Sequence, residues 1–380
     1  EALQIFHTST GGKKWNYTSL NIALLKYDYL NLDGIEWNFT TNHQGDFIGN
    51  PCGQWSDGSD NWAGIRCSYI GSKCVIIYLV LNNGALTGKI PKEIGNLTAL
   101  YQLNLENNYL EGVLPGTLGN LQQLSILNLA QNSFHGSLDV VNSLNHSLIM
   151  TLMLSQNKFT GVIPDFSAFE VISLICLDNN MLTGLPVNMF SSVNINLYFL
   201  WLQNNMISGV FPESISKLTG LKYLYLQNNK FVGHLPASLG NCTALTNLDL
   251  SRNQFSGPLQ VSTFSKMTTL RSMIVSYNYF TTGTNGNLFG WITILPTISH
   301  IDLKVLDLSN NKFTGLIEPN IFKLTKLESI SLQSNCFHGP LPTSICEATN
   351  LAVLIMADLS GGETCSQQYW KNTALRHLFD

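Results

Sequence analysis

The sequence predicts an α/β repeat solenoid of about twelve turns, in which one short strand from each turn joins a long parallel β-sheet on the concave face. The first observation is a recurring motif, L-x-L-x-x-N, whose Asn residues lie 23 to 25 residues apart except for one interval of 33. These residues are Asn108, Asn132, Asn157, Asn180, Asn205, Asn229, Asn253, Asn278, Asn311 and Asn335. The second observation is the length of 380 residues, because a single core stops growing at about 250–300 residues whereas stacked repeats have no such limit.

Composition and charge exclude several classes of protein. Charged residues make up 12% of the chain and hydrophobic residues 44%, against about 25% charged in a typical soluble protein. This balance excludes an intrinsically disordered chain. The net charge is −4 and no block of Lys or Arg occurs, which argues against nucleic-acid binding. No apolar run approaches the roughly 20 residues that span a bilayer, so the sequence predicts no transmembrane segment.

Each recurring position of the unit has a structural role. Leu103 and Leu105 alternate on a short strand and are expected to point into the core. Asn108 has both donors and acceptors, so it can satisfy backbone groups where the chain leaves the strand. Gly112 permits a backbone that other residues resist, and Pro115 fixes φ where no ladder hydrogen bond is needed. Stacked turns are then expected to share one core and a ladder of Asn side chains.

The unit L-x-x-L-x-x-L-x-L-x-x-N-x-L-x-G-x-I/L-P-x-x-L-G resembles the plant-type leucine-rich repeat over roughly residues 75 to 359. Repeats of this type occur in receptor-kinase ectodomains, in polygalacturonase-inhibiting proteins and in related proteins of algae and protists. The resemblance implies a right-handed superhelix closed by disulfide caps. The front of the chain is similar to the family's N-terminal cap in Thr10-Gly11-Gly12, Trp15 and Trp62-Ala63-Gly64-Ile65-Arg66-Cys67.

Three segments follow from this pattern. We expect an N-terminal cap with cysteines at residues 1–74, the leucine-rich-repeat solenoid at 75–359 and a C-terminal cap at 360–380. The interval of 33 residues places an irregular insertion at about 281–302, which lacks the usual G-x-I-P turn and contains Trp291. Insertions in solenoids often belong to a binding surface, and a locally repacked turn is the alternative.

Sequons and cysteines predict an extracellular protein, either secreted, on the cell surface or in the cell wall or matrix. Five N-x-Ser/Thr glycosylation sequons occur, at Asn16, Asn38, Asn96, Asn145 and Asn241. Six of the eight cysteines gather towards the ends as disulfide candidates, at Cys52, Cys67, Cys74, Cys336, Cys346 and Cys365. Such an arrangement suits an oxidising compartment. The start at Glu1 without an initiator Met is typical of a mature secreted chain.

The connectivity of the cysteines stays open at this point. The family resemblance implies a Cys52–Cys67 pair, for which Cys74 competes. The three C-terminal cysteines allow one bridge and one spare thiol. Cys242 takes an inward Leu position and is expected to be a buried free thiol, and Cys176 is expected to be a plain small residue on a strand.

The candidate binding surface is the concave face of the sheet. Residues two, four and six before each marker Asn alternate with the inward leucines and are expected to be solvent-accessible. In the central turns several of these side chains are aromatic, and an exposed aromatic patch usually marks an interface. The candidate ligand-binding residues are Met153, Leu174, Asp178, Phe199, Trp201, Gln203, Tyr223, Tyr225, Gln227, Asp249 and Arg252. A cross-strand aromatic stack that only stiffens the sheet is the alternative.

The sequence predicts no catalytic residue, no cofactor and no metal site. The motifs H-E-x-x-H, G-x-S-x-G and C-x-x-C do not occur. Asp178 and Asp249 lie three turns apart, which at one strand spacing per turn is about 14 Å. That separation exceeds the carboxylate spacing of an inverting glycosidase.

The predicted function is therefore that of a secreted or cell-surface glycoprotein, a scaffold that recognises a protein, peptide or glycan through its concave face. One alternative is a structural protein, because few like charges would oppose self-association into a homo-oligomer, filament or matrix. A further alternative, which the family resemblance implies, is an inhibitor of a secreted glycan-degrading enzyme.

Overall fold

Short strands recur once per repeat in the computed structural model of the protein, which describes residues 2–11, 64–70, 73–144, 148–186, 189–190, 196–283 and 302–357. The chain divides into two compact units, an N-terminal unit of Glu1–Thr183 and a C-terminal unit of Gly184–Asp380. Most of the predicted insertion at about 281–302, and all of the predicted C-terminal cap at 360–380, lie outside the described residues.

The N-terminal unit starts with helix α1 (Ala2–Ser9) and continues as short strands and 3-10 helices. Its strands are β1 (Ile65–Ile70), β2 (Lys73–Val80), β3 (Thr87–Gly88), β4 (Gln102–Asn104), β5 (Tyr109–Gly112), β6 (Ile126–Asn128), β7 (Ser133–Ser137), β8 (Thr151–Met153), β9 (Lys158–Val162), β10 (Leu174–Cys176) and β11 (Met181–Gly184). Its 3-10 helices are Lys92–Asn96, Gly116–Asn120 and Asp139–Leu144. β1 pairs antiparallel with β2, and β4, β6, β8 and β10 then follow in parallel. The strands β3, β5, β7, β9 and β11 form a second sheet.

The C-terminal unit repeats the same pattern. Its strands are β12 (Phe199–Trp201), β13 (Ser208–Val210), β14 (Tyr223–Tyr225), β15 (Lys230–Gly233), β16 (Asn247–Asp249), β17 (Gln254–Pro258), β18 (Ser272–Ile274), β19 (Tyr279–Thr281), β20 (Val305–Asp307), β21 (Thr314–Leu316), β22 (Ser329–Ser331), β23 (Cys336–His338) and β24 (Val353–Ile355). Its helices are α2 (Val261–Phe264) and the 3-10 helices Glu213–Lys217, Ala237–Asn241, Pro319–Lys323 and Thr343–Glu347. The strands β12, β14, β16, β18, β20, β22 and β24 form a parallel sheet in that order. Two smaller sheets contain β13, β15, β17 and β19, and β21 with β23.

The order of the strands confirms the predicted repeat solenoid in each unit. In the described residues five parallel strands of the N-terminal unit and seven of the C-terminal unit give the expected twelve turns. The last strand, Val353–Ile355, lies inside the predicted solenoid segment 75–359. The first parallel strand begins at Lys73 rather than at residue 75, because the antiparallel hairpin with β1 extends it towards the N-terminus.

Leucines fill the interior as the repeat requires. In the turn around β4, Leu100, Leu103, Leu105 and Leu110 are fully buried, and Leu114 is nearly so. Burying one such side chain stabilises the fold by about 1.5–3 kcal/mol, and each repeat adds several. Gly112 adopts a φ of +88°, a conformation that favours glycine and confirms the expected role of this position.

The marker Asn residues form the predicted ladder between turns. The Asn108 side chain accepts hydrogen bonds from the Gly84 and Leu86 amides of the preceding turn, at 3.0 and 2.9 Å. Its Nδ2 donates to the carbonyl oxygens of Leu81 and Leu105, both at 2.8 Å. One buried amide group therefore satisfies backbone groups of two successive turns, which a shorter or apolar side chain could not do.

A column of phenylalanines runs through the C-terminal unit beside the leucines. Their rings stack at centroid distances of 5.7 to 6.4 Å. The residues are Phe231, Phe255, Phe280, Phe313 and Phe337. Such stacking adds to the free energy of simple burial and fixes the register between turns.

The cysteines correct part of the sequence interpretation. Cys67 and Cys336 are disulfide-bonded, while Cys52 and Cys365 lie outside the described residues. Two of the disulfide candidates are instead free thiols, the half-buried Cys74 and the exposed Cys346. Cys74 therefore does not take Cys67 as a partner, and Cys346 is the spare thiol of the C-terminal group.

Of the two central cysteines, Cys242 confirms the expectation of a buried free thiol, whereas Cys176 is buried although it occupies an outward position of the repeat. Cys242 and Cys176 are both free and buried. The thiol of Cys242 donates to the carbonyl oxygen of Ile215 at 3.4 Å, so this residue packs as a small core side chain. Throughout the part of the chain that the structure describes, no helix combines the length and the apolar character needed to cross a membrane.

Candidate functional site

The outer face of the parallel sheet in the C-terminal unit is the side that faces away from the leucine core. On β12 and β14, the inward residues Leu200 and Leu224 are 0% exposed. Their strand neighbours Phe199, Trp201 and Tyr223 are half-buried. The period of two therefore places the aromatic side chains on the outer face, as the sequence predicts.

Parallel pairing without a register shift aligns the outer face into rows that cross the strands. The row that we call the middle row consists of Trp201, Tyr225, Asp249, Ile274, Asp307, Ser331 and Ile355. The row beside it consists of Phe199, Tyr223, Asn247, Ser272, Val305, Ser329 and Val353. Neighbours within a row are one strand spacing apart, about 4.8 Å. Side chains that follow one another in a row are therefore neighbours on adjacent strands.

Four rings form an aromatic cluster at the β12–β14 end of this face: Phe199, Trp201, Tyr223 and Tyr225. The rings of Phe199 and Tyr223 stack at 4.7 Å between centroids with an interplanar angle of 4°. Those of Trp201 and Tyr225 lie 5.9 Å apart. Within each strand the rings meet at 6.2 Å and 6.4 Å. The four rings are thus in mutual contact and half-buried, which suits both the binding and the stiffening interpretation.

Three polar atoms at this cluster are buried without a hydrogen-bond partner among the described residues. They are the indole Nε1 of Trp201 and the Oε1 atoms of Gln203 and Gln227. The first is a donor and the other two are acceptors. A buried polar group that makes no hydrogen bond costs about 1–3 kcal/mol, and a ligand could supply partners only after the side chains that cover these atoms move.

Asp249 stands next to Tyr225 in the middle row. Its Oδ1 accepts hydrogen bonds from the amide and hydroxyl of Ser251, at 2.9 and 2.7 Å. Burial raises the pKa of the Asp249 carboxyl above its ordinary value; the Ser251 hydrogen bonds oppose this shift and the charge of Asp307 adds to it. Burial also raises the pKa of Tyr225, with further contributions from Tyr223 and Asp249.

Arg252 is exposed and lies at the margin of the site rather than in its rows. Its guanidinium carbon is 4.4 Å from the centroid of the Tyr277 ring, and its backbone has a φ of +53°. This cation–π contact directs the Arg252 charge onto Tyr277 of the next turn.

The remaining predicted binding residues belong to the N-terminal unit and are not part of this site. Met153 and Leu174 are half-buried on the equivalent face. Asp178 is only 6% exposed, which differs from the accessible position expected from the sequence. Ser155 donates to its Oδ1 and Asn179 to its Oδ2, both at 2.5 Å. Both oxygens are occupied, so Asp178 acts as a hydrogen-bonding group of the sheet.

Sequence reasoning placed Asp307 on the outer face but not among the site residues. The register shows that Asp307 shares the middle row with Asp249 and is separated from it by Ile274. The spacing of Asp307 from its marker Asn equals that of Asp249, and this shared frame position was the signal available in the sequence.

Two of the glycosylation sequons fall on described residues, and neither Asn lies on a strand. Asn96 and Asn241 are both exposed, and each is the last residue of a 3-10 helix, Lys92–Asn96 and Ala237–Asn241. They therefore share one position of the repeat. Asn16, Asn38 and Asn145 lie outside the described residues.

Comparison with known proteins places this architecture. The family model described as Leucine rich repeat matches residues 170–231 and 195–255, and a second Leucine Rich Repeat model matches residues 99–121 and 302–324. The chain is 30% identical over 346 residues to the receptor-like kinase TMK4 of Arabidopsis thaliana, across 84% of this chain and 30% of that protein.

Two solved structures resemble the chain at similar levels of identity. The plant peptide hormone receptor RGFR1 in complex with RGF2 is 27% identical with a TM-score of 0.65, over 73% of this chain and 43% of that one. The leucine-rich-repeat ectodomain of the Arabidopsis thaliana membrane receptor kinase GASSHO1/SCHENGEN3, in complex with CASPARIAN STRIP INTEGRITY FACTOR 2, is 30% identical with a TM-score of 0.63, over 71% and 31%. The chain thus spans less than half the length of each relative. The repeat, the parallel sheets that it builds and these similarities show that the chain is a leucine-rich-repeat protein of the plant type.

Proposed function

We propose that the protein is an extracellular, non-catalytic binding protein that recognises a peptide through the outer face of its C-terminal unit. The aromatic cluster of Phe199, Trp201, Tyr223 and Tyr225 is the anchor of this interaction. Sequence reasoning left a protein, a peptide or a glycan open as the ligand, and the site favours a peptide.

The observation that carries the proposal is the contrast between the aromatic cluster and its surroundings. Four half-buried rings stand together at one end of a face whose other residues are mostly small or polar. Trp and Tyr are the side chains that most often dominate binding energy at interfaces. Their rigid rings lose little conformational entropy when a ligand covers them.

The unsatisfied polar atoms favour a peptide over a purely apolar ligand. An extended peptide offers one N–H and one C=O group per residue. These groups can pair with the acceptors of Gln203 and Gln227 and with the indole donor of Trp201 once the side chains that cover these atoms move aside. One of the similar structures is the plant peptide hormone receptor RGFR1 in complex with RGF2. Another is the ectodomain of GASSHO1/SCHENGEN3 in complex with CASPARIAN STRIP INTEGRITY FACTOR 2. These similarities support the proposal.

The extracellular location rests on covalent chemistry. The disulfide-bonded Cys67 and Cys336 are favoured in an oxidising compartment. Asn96 and Asn241 are exposed residues within sequons, so glycans attached there would meet no packed side chain. The proposal that the protein is not an enzyme rests on the sequence, which holds none of the catalytic motifs considered above.

Truncation of the anchor tests the proposal. The probe is an array of immobilised short random peptides, to which labelled wild-type protein is bound. We expect the variants Trp201→Ala and Tyr225→Ala each to lose at least about 2 kcal/mol of binding free energy for the peptides that the wild type selects. Central interface aromatics commonly contribute that much. Titration of the selected peptides in solution gives the affinities, and thermal unfolding of each variant gives its stability.

A matched aromatic outside the face provides the control. Tyr279 is 49% exposed on β19, in a different sheet of the same unit, and Tyr279→Ala should leave peptide affinity unchanged. If Trp201→Ala and Tyr225→Ala lowered the melting temperature while peptide affinity stayed at the wild-type value, the cluster would be a stiffening element and the proposed function would fail.

A further inference from the structure

The charges on the outer face of the C-terminal unit are all negative. In the middle row and the row beside it, every residue of which the structure describes, Asp249 and Asp307 are the charged side chains and no Lys, Arg or His occurs. The third set of outer positions, two residues before each marker Asn, holds only Gln, Ser and Ala in this unit. These outer positions therefore hold two carboxylates and no cation. The exposed basic residues directly before the strands make other contacts: Lys222 with the Tyr198 ring, Arg271 with Asp302 and Lys304 with Glu328.

Both carboxylates keep one oxygen available. Asp249 uses Oδ1 for Ser251, and Asp307 uses Oδ1 for the Ser309 amide at 3.0 Å. Neither Oδ2 has a hydrogen-bond or ion-pair partner among the described residues. Arg252, the nearest basic side chain along the sequence, instead lies over the Tyr277 ring.

The fold does not require a charge at this position of the repeat. In the N-terminal unit the same frame position holds Asn104 and Asn128, whose Oδ1 atoms accept from the amides two residues on at 3.0 and 3.1 Å. A neutral amide thus makes the same backbone contact that Asp249 makes with Ser251. The two negative charges are additional to what the sheet needs, and desolvating a charge without a partner is unfavourable.

The surroundings of the two carboxylates suit a cation. Ile274 lies between Asp249 and Asp307 in the middle row, so the carboxylates are about 10 Å apart at two strand spacings. A cation above Ile274 is one strand spacing from each of them. The aliphatic stem of a long basic side chain can rest on Ile274.

We propose that the peptide recognised by this face presents an Arg or Lys side chain to the middle row, between Asp249 and Asp307. The aromatic cluster anchors the neighbouring part of the peptide. This inference rests on the proposed function. It adds that the part of the site around Asp249 and Asp307 binds a basic side chain of the peptide.

Substitutions that remove the charge from the peptide or from the protein test the inference. Peptides selected by the wild type from the random array are resynthesised with Arg replaced by citrulline and Lys by acetyl-lysine. We expect the selected peptides to be enriched in basic residues, and the neutral analogues to bind about tenfold or more weakly, as for the loss of one charge-assisted hydrogen bond. Asp249→Asn and Asp307→Asn should each lower the affinity for the original peptides. The double variant should bind a basic peptide and its neutral analogue with equal affinity.

Two controls separate a local effect from changes in net charge or folding. Glu213→Gln removes one negative charge from the exposed 3-10 helix Glu213–Lys217 of the same unit and should leave affinity unchanged. The folding control is the melting temperature, which we expect Asp249→Asn to preserve because Asn keeps the Oδ1 acceptor for Ser251.

The outcomes distinguish this inference from the function on which it rests. Peptides whose binding needs Trp201 but is insensitive to citrulline, acetyl-lysine and both Asp substitutions would overturn the inference and leave the proposed function standing. An equal loss of affinity in Glu213→Gln would also overturn it, because the effect would then be one of net charge. If no selected peptide depended on Trp201, both would be rejected.

Discussion

Asp249 and Asn128 occupy the same position of the repeat and make the same hydrogen bond, yet only one of them carries a charge. Asn128 accepts from the amide of Ala130, and Asp249 accepts from the amide of Ser251. The raised pKa of Asp249 means that its surroundings disfavour the ionised carboxylate, chiefly through burial. Binding of a basic side chain would require the ionised carboxylate of Asp249, whereas stability of the fold favours the neutral form.

The pH dependence of stability should reveal this conflict. A carboxyl whose pKa is higher in the folded state than in the unfolded state destabilises the fold when ionised, and the loss is relieved as pH falls through the raised pKa. We therefore expect Asp249→Asn to be at least as stable as the wild type at neutral pH. The difference between the two melting temperatures should shrink as pH falls, when Asp249 becomes protonated. Thermal unfolding across a pH series measures it.

Asp302 supplies a control of opposite sign. Its pKa is lowered, first by a hydrogen bond from Lys326 and also by the charge of Arg271, so its ionised form stabilises the fold above its unfolded pKa and that contribution is lost as pH falls through the folded pKa. Asp302→Asn should accordingly lower the melting temperature at neutral pH. If Asp249→Asn lowered it in the same way, the Asp249 charge would stabilise the fold without a ligand, which would contradict the role inferred for Asp249 in binding a basic side chain.

At the scale of the element, one turn of the solenoid is held to the next by its leucines and by its marker Asn. Both could be predicted, because a period of about 24 residues with fixed inward positions leaves one way to bury the apolar side chains. The fully buried Leu103 and the hydrogen bonds of Asn108 confirm this. Pattern alone is sufficient wherever a side chain points into the core.

The packing of the outer face could not be predicted in the same way. Frame position indicates which way Asp178 and Cys176 point, but both are buried by their neighbours on the sheet. Strands about 4.8 Å apart bring large and small outer side chains into contact, so exposure depends on the rotamers of adjacent turns. The candidate site was therefore identified in its aromatic cluster, while Asp307 was left outside it.

Removal of one rung should show how much the Asn ladder contributes. Asn253 donates to the carbonyl oxygens of Leu226, Leu250 and Ser251, and its Oδ1 accepts from the Phe231 amide. In Asn253→Ala the three carbonyl oxygens keep other donors, from Asn229, Asn278 and the Asn228 amide. The buried Phe231 amide loses its acceptor, so we expect a loss of about 1–3 kcal/mol. Urea unfolding followed by circular dichroism gives the free energy of unfolding.

The comparison variant is Asn247→Ala on the outer face six residues earlier. The Asn247 side chain is half-buried and makes no hydrogen bond to a described residue, so its truncation should cost less than about 1 kcal/mol. Equal losses in the two variants would contradict the ladder and assign the stability to the leucines alone.

At the scale of the whole molecule, the cysteines divide into groups with different chemistry. Cys67 in the N-terminal unit and Cys336 in the C-terminal unit are disulfide-bonded. Cys176 and Cys242 are buried, and Cys346 is exposed. The sequence indicated which cysteines lie near the ends of the chain, but the choice between Cys336 and Cys346 depends on the relative positions of their side chains, which no spacing rule gives.

Alkylation of the unreduced protein should separate these groups in a defined order. The exposed Cys346 should react first with iodoacetamide, and Cys74 more slowly, because burial raises its pKa and reduces the fraction of reactive thiolate. Cys176 and Cys242 are buried more deeply, their pKa values are raised by the same cause, and they should react only after unfolding in urea. Cys67 and Cys336 should need a reductant as well. Mass spectrometry of the peptides at each stage reports the order. Modification of Cys67 or Cys336 without reductant would contradict the disulfides. Rapid modification of Cys176 in the native protein would contradict the packing of the outer face of the N-terminal unit.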